Sequence, residues 1–415
     1  MTQLDMIIKA IENLGGTGCY SEIYKEIERL NGNLLTPGRK AGIRKAIEDH
    51  SSDSENYKRG YDWFYSVKGL GKGVWGLRSL SNNDSLLNLL IKYDCHLNRG
   101  SESMEEFLRK HFRNYLEDLR TSIKSEDNQL VGEEMCQMVS EKIDEIEENA
   151  NNLIEVFSLY NKGKIIPASI KAFEIFDGMK YQLIRRYSAA YIKERYFRIR
   201  KIDDKSLPLE RKELFHIPYS MNHLVGTARY SMPGHPCLYL ASQAKLCWYE
   251  CGKPEHFAIA KFDIPQDESS CLKFIDFSEK TIPLRQHFIS WFHQKEELDS
   301  LRKYFLKHIY TYPLRAACSV AVEHKGSPFI EEYIIPQMLL QWVLKDEDFD
   351  GIKYESCSSS EEVRTLCAHN IVLVTKEFDK NGFDIKLRSC IGVGEPEVIR
   401  LLQGIERISS DFQKI

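Results

Sequence analysis

The segment from Arg229 to Glu250, RYSMPGHPCLYLASQAKLCWYE, concentrates the most informative chemistry of the chain. It sets one guanidinium (Arg229), one aromatic ring (Tyr239) and one carboxylate (Glu250) around a short strand and a helix. A planar guanidinium grips diphosphate oxygens through its fork. An aromatic face packs on a flat heterocycle. A fixed carboxylate stabilises the positive charge that develops on a sugar as its glycosidic bond breaks. Brought together, these groups could hold a dinucleotide and help to open a sugar–base bond.

The local pattern must position them. Thr227 to Ser231 has strand character, Pro233-Gly234-His235-Pro236 forces a turn, and Cys237 to Ala241 predicts a second short strand. Ser242 is placed to cap the helix that follows. On that helix Glu250 comes four residues after Leu246 and three after Cys247, so it shares a face with apolar neighbours. A carboxylate on such a face needs a partner or a task. Arg229 is the nearest partner in the segment. Local geometry alone is satisfied by the plainer reading, an internal Arg229–Glu250 ion pair with Tyr239 filling the core.

Tyr239 follows Arg229 by ten residues and Glu250 follows Tyr239 by eleven. With these intervals the segment resembles the RES domain, a family named for its arginine, glutamate and serine. Its members carry Gly-Arg-aromatic-Asn-x-x-Gly, a Leu-Tyr-Leu-Ala-like strand and a helix ending in glutamate. Ala228 stands where glycine is usual and Ser231 where asparagine is usual. Three further segments follow the family's order. Tyr196-Phe197-Arg198-Ile199 resembles the opening strand, with its arginine at Arg198. Tyr333-Ile334-Ile335-Pro336-Gln337 resembles the helix before the last strands. Asp350 to Ser356 resembles the segment bearing the family serine, which makes Ser356 the candidate and Ser358, Ser359 and Ser360 its rivals. Asn370-Ile371-Val372-Leu373-Val374 then reads as the closing strand.

The resemblance implies NAD⁺ chemistry on a fold related to ADP-ribosyltransferases, with NAD⁺ consumed as a substrate and no cofactor. Glu250 would stabilise the oxocarbenium-like transition state at the nicotinamide–ribose bond. Arg229 would bind a diphosphate or ribose oxygen, Tyr239 would pack against nicotinamide, and Ser356 would hydrogen-bond nicotinamide or ribose or place the acceptor. Arg198 would contact phosphate. His216 reads as a core histidine rather than a pocket residue. The spacing Gly71-x-Gly73-x-x-Gly76 falls in the hairpin turn and its second strand rather than between a strand and a helix, and no phosphate-loop motif occurs, in keeping with a consumed substrate. The implied activity is that of an NAD⁺ glycohydrolase or phosphorylase, acting as a growth-arresting toxin or anti-phage effector with an antitoxin or other protein partner. Two alternatives stay open: transfer of ADP-ribose to a protein or nucleic acid, and a non-enzymatic DNA-binding regulator with a degenerate RES fold.

A chain of 415 residues exceeds one ordinary core and predicts two or three domains. The net charge of −4 excludes a global pull toward nucleic acid or anionic lipid, so any such contact must be local. No apolar run approaches the roughly 20 residues of a membrane span. The N-terminus lacks a basic region followed by a long apolar core. A cytoplasmic protein with no membrane partner is the expectation. The 11 cysteines are scattered without a Cys-x2-Cys pair, although Cys247 and Cys251 lie a helical turn apart and Cys357 and Cys367 flank a serine-rich loop. Reduced, partly buried thiols and no metal site are expected.

The expected fold class is α+β multidomain, in three parts. Residues 1–80 predict three helices and a hairpin. The first helix carries Leu4, Ile7, Ile8 and Ile11, the second is capped by Ser21, and the third is opened by Thr36-Pro37. The strands are Trp63–Val67 and Val74–Leu77. That order resembles the winged-helix modules attached to bacterial restriction and defence proteins. Arg39, Lys40, Arg44 and Lys45 on the third helix, with Lys58, Arg59, Lys68 and Lys72 near the wing, could contact DNA or RNA phosphates. The plain alternative is a set of solvated charges on a protein-binding module. Residues 81–190 predict a helical linker or regulatory region introduced by a cap around Asp84, with no chemistry of its own. Residues 191–415 predict the RES-like α+β catalytic domain, with strands at Leu238–Ala241, Phe257–Phe262 and Ile371–Val374, a helix near Tyr333–Trp342, and a final helix from Pro396 through Val398, Leu402 and Ile405.

Overall fold

The computed structural model describes residues 2–14, 16–58, 62–67, 69–78, 84–95, 97–128, 130–184, 194–202, 209–264, 272–279, 284–285, 288, 298–324, 326–358, 360–364, 366 and 368–401. Arg59, Lys68, Ser359, Cys367, Leu402 and Ile405 lie outside the described residues.

At the N-terminus, helix α1 (Gln3–Asn13) is closed by a reciprocal cap in which Thr2 accepts from the Asp5 N–H and Asp5 accepts from the Thr2 N–H. Strand β1 (Thr17–Cys19) is too short to show alternation in the sequence. Helix α2 (Tyr20–Asn31) starts earlier than expected. Glu22 reaches back to the Cys19 N–H at 2.8 Å, so Cys19 takes the cap position and Ser21 lies inside the helix. Helix α3 (Pro37–Asp49) begins as expected, with Thr36 accepting from the Arg39 N–H and Pro37 in the first turn. Strands β2 (Phe64–Ser66) and β3 (Val74–Leu77) pair antiparallel, and β1 adds to the far edge of β3. Ile7, Ile11, Ile23, Ile43, Ile47, Phe64 and Trp75 form the core between helices and sheet.

Four helices follow: α4 (Ser85–Lys92), α5 (Met104–Ser122), α6 (Gly132–Asn161) and α7 (Ile165–Leu183). The expected cap at Asp84 is present. One oxygen accepts from the Leu87 N–H and the other from the Val131 N–H, both at 3.1 Å.

The remaining elements are β4 (Glu194–Lys201), β5 (Cys237–Ala241), α8 (Ala244–Glu250), β6 (His256–Ile264), β7 (Phe274–Phe277), α9 (Leu298–Tyr310), α10 (Tyr312–Ser319), α11 (Ile334–Lys345), β8 (Gly351–Glu355), α12 (Glu361–Arg364), β9 (His369–Val374), α13 (Ile385–Cys390), β10 (Gly392–Val393) and β11 (Glu397–Arg400). Their strands form an eight-stranded sheet in the order β10-β6-β4-β5-β9-β8-β7, with β11 also on β6. Among the described residues of this sheet β7 and β8 pair parallel and the other strand pairs are antiparallel. Tyr196, Leu238, Leu240, Ala260, Phe262, Ile371 and Leu373 form the core on one face. The final helix expected from Pro396 is instead β11. Val398 and Ile399 pair with Ala258 and Phe257, because the open edge of β6 satisfies the backbone of an extended segment directly.

The fold is thus mixed α+β. It divides into two compact units: Met1–Lys92, Leu119–Met138 and Thr281–Lys303 form one, and Tyr93–Asp118, Val139–Lys280 and Tyr304–Ile415 the other. Among the described residues no helix is long and apolar enough to cross a membrane. Eight described cysteines carry free thiols, but Cys390 is disulfide-bonded, so the expectation of reduced thiols does not extend to it.

Candidate active site

Strand register places the candidate residues before any side chain is considered. Tyr239 pairs with Val372, which pairs with Ile352; Ala241 pairs with Asn370, which pairs with Tyr354. Opposed residues share a face, and so do residues two apart on one strand. Tyr239, Asn370 and Tyr354 therefore look out from the same face of β5, β9 and β8, while Leu238, Leu240, Ile371 and Leu373 point into the core. Ser356 continues that parity just past β8.

On the far side of β5 the sheet has a seam. β4 pairs with β6 along eight residues but meets β5 only at Phe197–Ala241. Where β4 and β5 part, α8 takes the vacant edge. Cys247 Sγ accepts from the Ile199 N–H at 3.2 Å, and Cys251 Sγ donates to the Ile199 carbonyl at 3.6 Å. That contact accounts for two cysteines one helical turn apart. Arg198 spans the seam through Nη1, which donates to the Tyr239 carbonyl at 3.1 Å. Burial lowers its pKa from the usual arginine value.

Glu250 is the last residue of α8 and is exposed, not packed on the apolar face that its spacing suggests. Glu250 closes a helix of only seven residues, so no further turn follows to carry the apolar face past it. Ser242 does not cap this helix; Gln243 holds that position, and the Ser242 hydroxyl accepts from the His369 N–H at 2.9 Å, tying β5 to β9. The Glu250 carboxylate takes two donors on the same oxygen. Ser356 Oγ donates to Oε1 at 2.6 Å and Asn370 Nδ2 donates to Oε1 at 3.0 Å. Oε2 has no described hydrogen bond. Among the other serines, the Ser358 N–H donates to Ser356 Oγ at 3.4 Å and Ser358 Oγ accepts from the Ser360 N–H at 3.2 Å.

Arg229 sits at the tip of a tight turn rather than in a strand. The Ala228 and Ser231 backbones exchange hydrogen bonds of 3.2 Å across it. The residue is only 8% exposed. Nη1 donates to the Cys318 carbonyl at 2.9 Å and Nη2 to the Val320 carbonyl at 2.8 Å. These carbonyls leave the end of α10, where no further turn is present to bond them. The plain reading of an Arg229–Glu250 ion pair is therefore replaced by carbonyl partners for Arg229 and amide and hydroxyl partners for Glu250. The Tyr333 ring lies 5.4 Å from the guanidinium carbon. Gln337 on α11 fixes the turn from outside, its Nε2 reaching Thr227 Oγ1, the Ala228 carbonyl and the Ser231 carbonyl at 2.9–3.1 Å.

The next turn matches its sequence. The His235 N–H closes onto the Met232 carbonyl at 3.2 Å around Pro233 and Gly234, and Gly234 has φ of 81°, where any side chain would be strained. Tyr239 follows on β5. Its phenol lies beside the Ser231 side chain and the Tyr230 backbone without a hydrogen bond of standard geometry, and burial raises its pKa above the ordinary phenol value. Tyr230 packs on Tyr354 with ring centres 4.7 Å apart. The charges of Arg229 and Glu250 both act on Tyr333, Tyr354 and Cys357. Arg229 and Glu250 therefore border one cluster although they do not touch.

His216 is a structural histidine. Nδ1 donates to the Ile217 carbonyl at 2.8 Å, Nε2 accepts from the Asp384 N–H at 2.9 Å, and burial lowers its pKa. In the other unit, Arg39, Arg44 and Lys45 are exposed on α3. Lys40 is instead drawn to Glu28 at 3.5 Å and over the Tyr24 ring. Sequence reasoning gives no role to Asn370, Tyr333, Tyr354, Cys357 or Gln337. The legible signal is Asn370, an amide directly before the apolar run Ile371–Val374 of β9. No three described His, Cys, Asp or Glu side chains converge to hold a metal.

No family model matches the chain, and no solved structure matches it. Among curated proteins it is 29% identical over 287 residues to the Bacillus subtilis (strain 168) protein named "Putative toxin YopC". That alignment covers 66% of this chain and 61% of the relative, so the chain spans about three fifths of the relative's length.

Proposed function

We propose that the chain is a toxin whose C-terminal domain consumes NAD⁺ by cleaving the nicotinamide–ribose bond, on a RES-like fold. The observation that carries this reading is the Glu250 carboxylate, held by Ser356 and Asn370 on Oε1 with Oε2 unengaged. A carboxylate fixed by two donors and left with one free oxygen is suited to stabilise a developing sugar cation without reorganising. Tyr333 and Tyr354, on which its charge acts, offer aromatic rings beside it, and Tyr239 is on the same sheet face as Tyr354. Arg229 retains N–H groups beyond those given to Cys318 and Val320, since a guanidinium carries five. These remain for a diphosphate or ribose oxygen. The toxin role rests on the relative's name and covers only the aligned part.

The order helix, strand, two helices and hairpin in residues 1–80 supports a winged-helix reading, with Arg39, Arg44 and Lys45 as the exposed cations for nucleic acid. An antitoxin or other partner protein would restrain the enzyme.

The test is incubation of purified protein with NAD⁺ labelled in the adenosine half, wild type beside Glu250→Gln. Free ADP-ribose formed by wild type and not by the variant is the expected result. Label on protein or nucleic acid would assign the acceptor to a macromolecule. Equal turnover by Glu250→Gln would refute the mechanism.

A further inference from the structure

Arg99 comes from the helical region for which the sequence suggests no chemistry, yet it is 7% exposed at its side chain and bonded to Glu332, which is 1% exposed. Arg99 Nε donates to Glu332 Oε1 at 2.8 Å, and the same oxygen accepts from the Glu323 N–H at 3.1 Å. Arg99 Nη1 also donates to the Glu102 carbonyl. Two residues earlier, Leu97 forms a parallel bridge to Val320, and its carbonyl accepts from the Ala321 N–H at 2.8 Å. Glu331, next to Glu332, accepts from the Met104 N–H at 3.1 Å at the start of α5.

The Leu97 bridge ends on Val320, the Leu97 carbonyl bonds the next residue, Ala321, and Arg99 bonds Glu332, the residue before Tyr333. Val320 supplies a carbonyl to Arg229, and Tyr333, whose ring lies over the guanidinium, directly follows Glu332. We infer that Arg99, together with the Leu97 backbone, is a positioning element of the active site, bracing segments 318–323 and 331–333 so that Arg229 stays aimed at its substrate. The inference rests on the NAD⁺ reading for the identity of that substrate. Precision at a binding guanidinium depends on the groups that lock its own partners. A buried ion pair whose carboxylate also takes a backbone N–H is a stiff brace. The helical stretch is thereby part of the catalytic machinery and not only a linker.

The experiment compares Arg99→Met, Arg99→Lys and Glu332→Gln with wild type. Lys180→Met, which breaks the pairs to Asp346 and Asp348, serves as a control elsewhere in the same unit. KM and kcat for NAD⁺ are measured together with amide exchange at residues 318–323. Loss of an aimed binding group raises KM with little change in kcat. Arg99→Met should raise KM about tenfold or more, leave kcat within about threefold, and speed exchange of the Ala321 and Glu323 amides. Arg99→Lys keeps the charge and should fall between, which preserves the test if Arg99→Met does not fold. Unchanged KM and exchange in folded variants would overturn the inference. So would a rise in activity, since that would make the contact a restraint. If wild type does not turn over NAD⁺, the substrate assignment fails, and the exchange measurement still decides whether Arg99 braces the Arg229 carbonyl partners.

Discussion

The Ser356 hydroxyl donates to Glu250 Oε1 across 2.6 Å, a distance typical of an O–H to carboxylate bond. The bond joins the end of α8 to the loop after β8, so Ser356 shares with Asn370 the orientation of the carboxylate proposed for the chemistry. A hydrogen bond to a charged group is worth about 1.5–3 kcal/mol. Removed from the step that uses the carboxylate, that is roughly 10- to 100-fold in rate. Ser356→Ala should therefore reduce kcat for NAD⁺ by that factor while the unfolding midpoint barely moves. Asn370→Ala should do the same through the other donor. Steady-state kinetics beside thermal melts decide it, and full activity in both single variants would remove Oε1 anchoring from the mechanism.

Gln337 serves three acceptors around the Arg229 turn with one amide nitrogen. Gln337→Leu keeps the volume and removes the donor. Two backbone carbonyls then each lose one of two donors, keeping the N–H they exchange across the turn, at a cost of about 0.5–1.5 kcal/mol. The urea midpoint should fall accordingly, and KM for NAD⁺ should rise because the turn carrying Arg229 loosens. A variant with wild-type stability and wild-type KM would mean that the turn holds itself.

Stability should decline on the acid side of neutrality. Burial pushes His111 down to about 4, and its Nε2 lies 2.6 Å from the Tyr312 hydroxyl. Burial lowers His216 as well. Both folded values lie below the free imidazole value of about 6.5. As pH falls through 6.5 the unfolded chain takes up protons first. The stability present above that pH is then lost progressively toward the folded values. His111 alone accounts for about 2 kcal/mol between pH 7.5 and 5. Urea melts at the two pH values should differ by at least that much, and His111→Phe should flatten the difference.

The cations of α3 divide into two kinds. Arg39, Arg44 and Lys45 are exposed, whereas Lys40 is engaged with Glu28. If the module binds nucleic acid, Arg44→Glu with Lys45→Glu should weaken binding at every sequence and reduce the salt slope by about 1 for each phosphate no longer neutralised. NAD⁺ turnover should be unchanged. Fluorescence anisotropy over a salt series reads both quantities. Identical slopes for variant and wild type would assign this helix face to solvent.

What is legible in the sequence follows local rules. Thr36-Pro37 opens α3, Pro233-Gly234 turns the chain, and the apolar runs at Leu238 and Ile371 become neighbouring strands because each carries its own pattern. Expectation and structure part where a distant segment decides. Ser242 satisfies β9 in place of a helix cap, Arg229 bonds carbonyls far along the chain, and Val398 extends along β6 instead of coiling. Helical spacing singles out Glu250 as a carboxylate on an apolar, buried face. The structure leaves it exposed, and its donors, 106 and 120 residues downstream, have no signature in that spacing.

That separation sets an order of assembly. A chain emerging from the ribosome presents α8 and Glu250 long before the two donors that orient the carboxylate exist. β9 must pair between β5 and β8 before Asn370 reaches Oε1, and Ser356 arrives only with the loop after β8. An unfinished chain therefore carries the carboxylate unaimed, and a fragment cleaved anywhere between Glu250 and Asn370 separates the acid from at least one of its donors along the backbone.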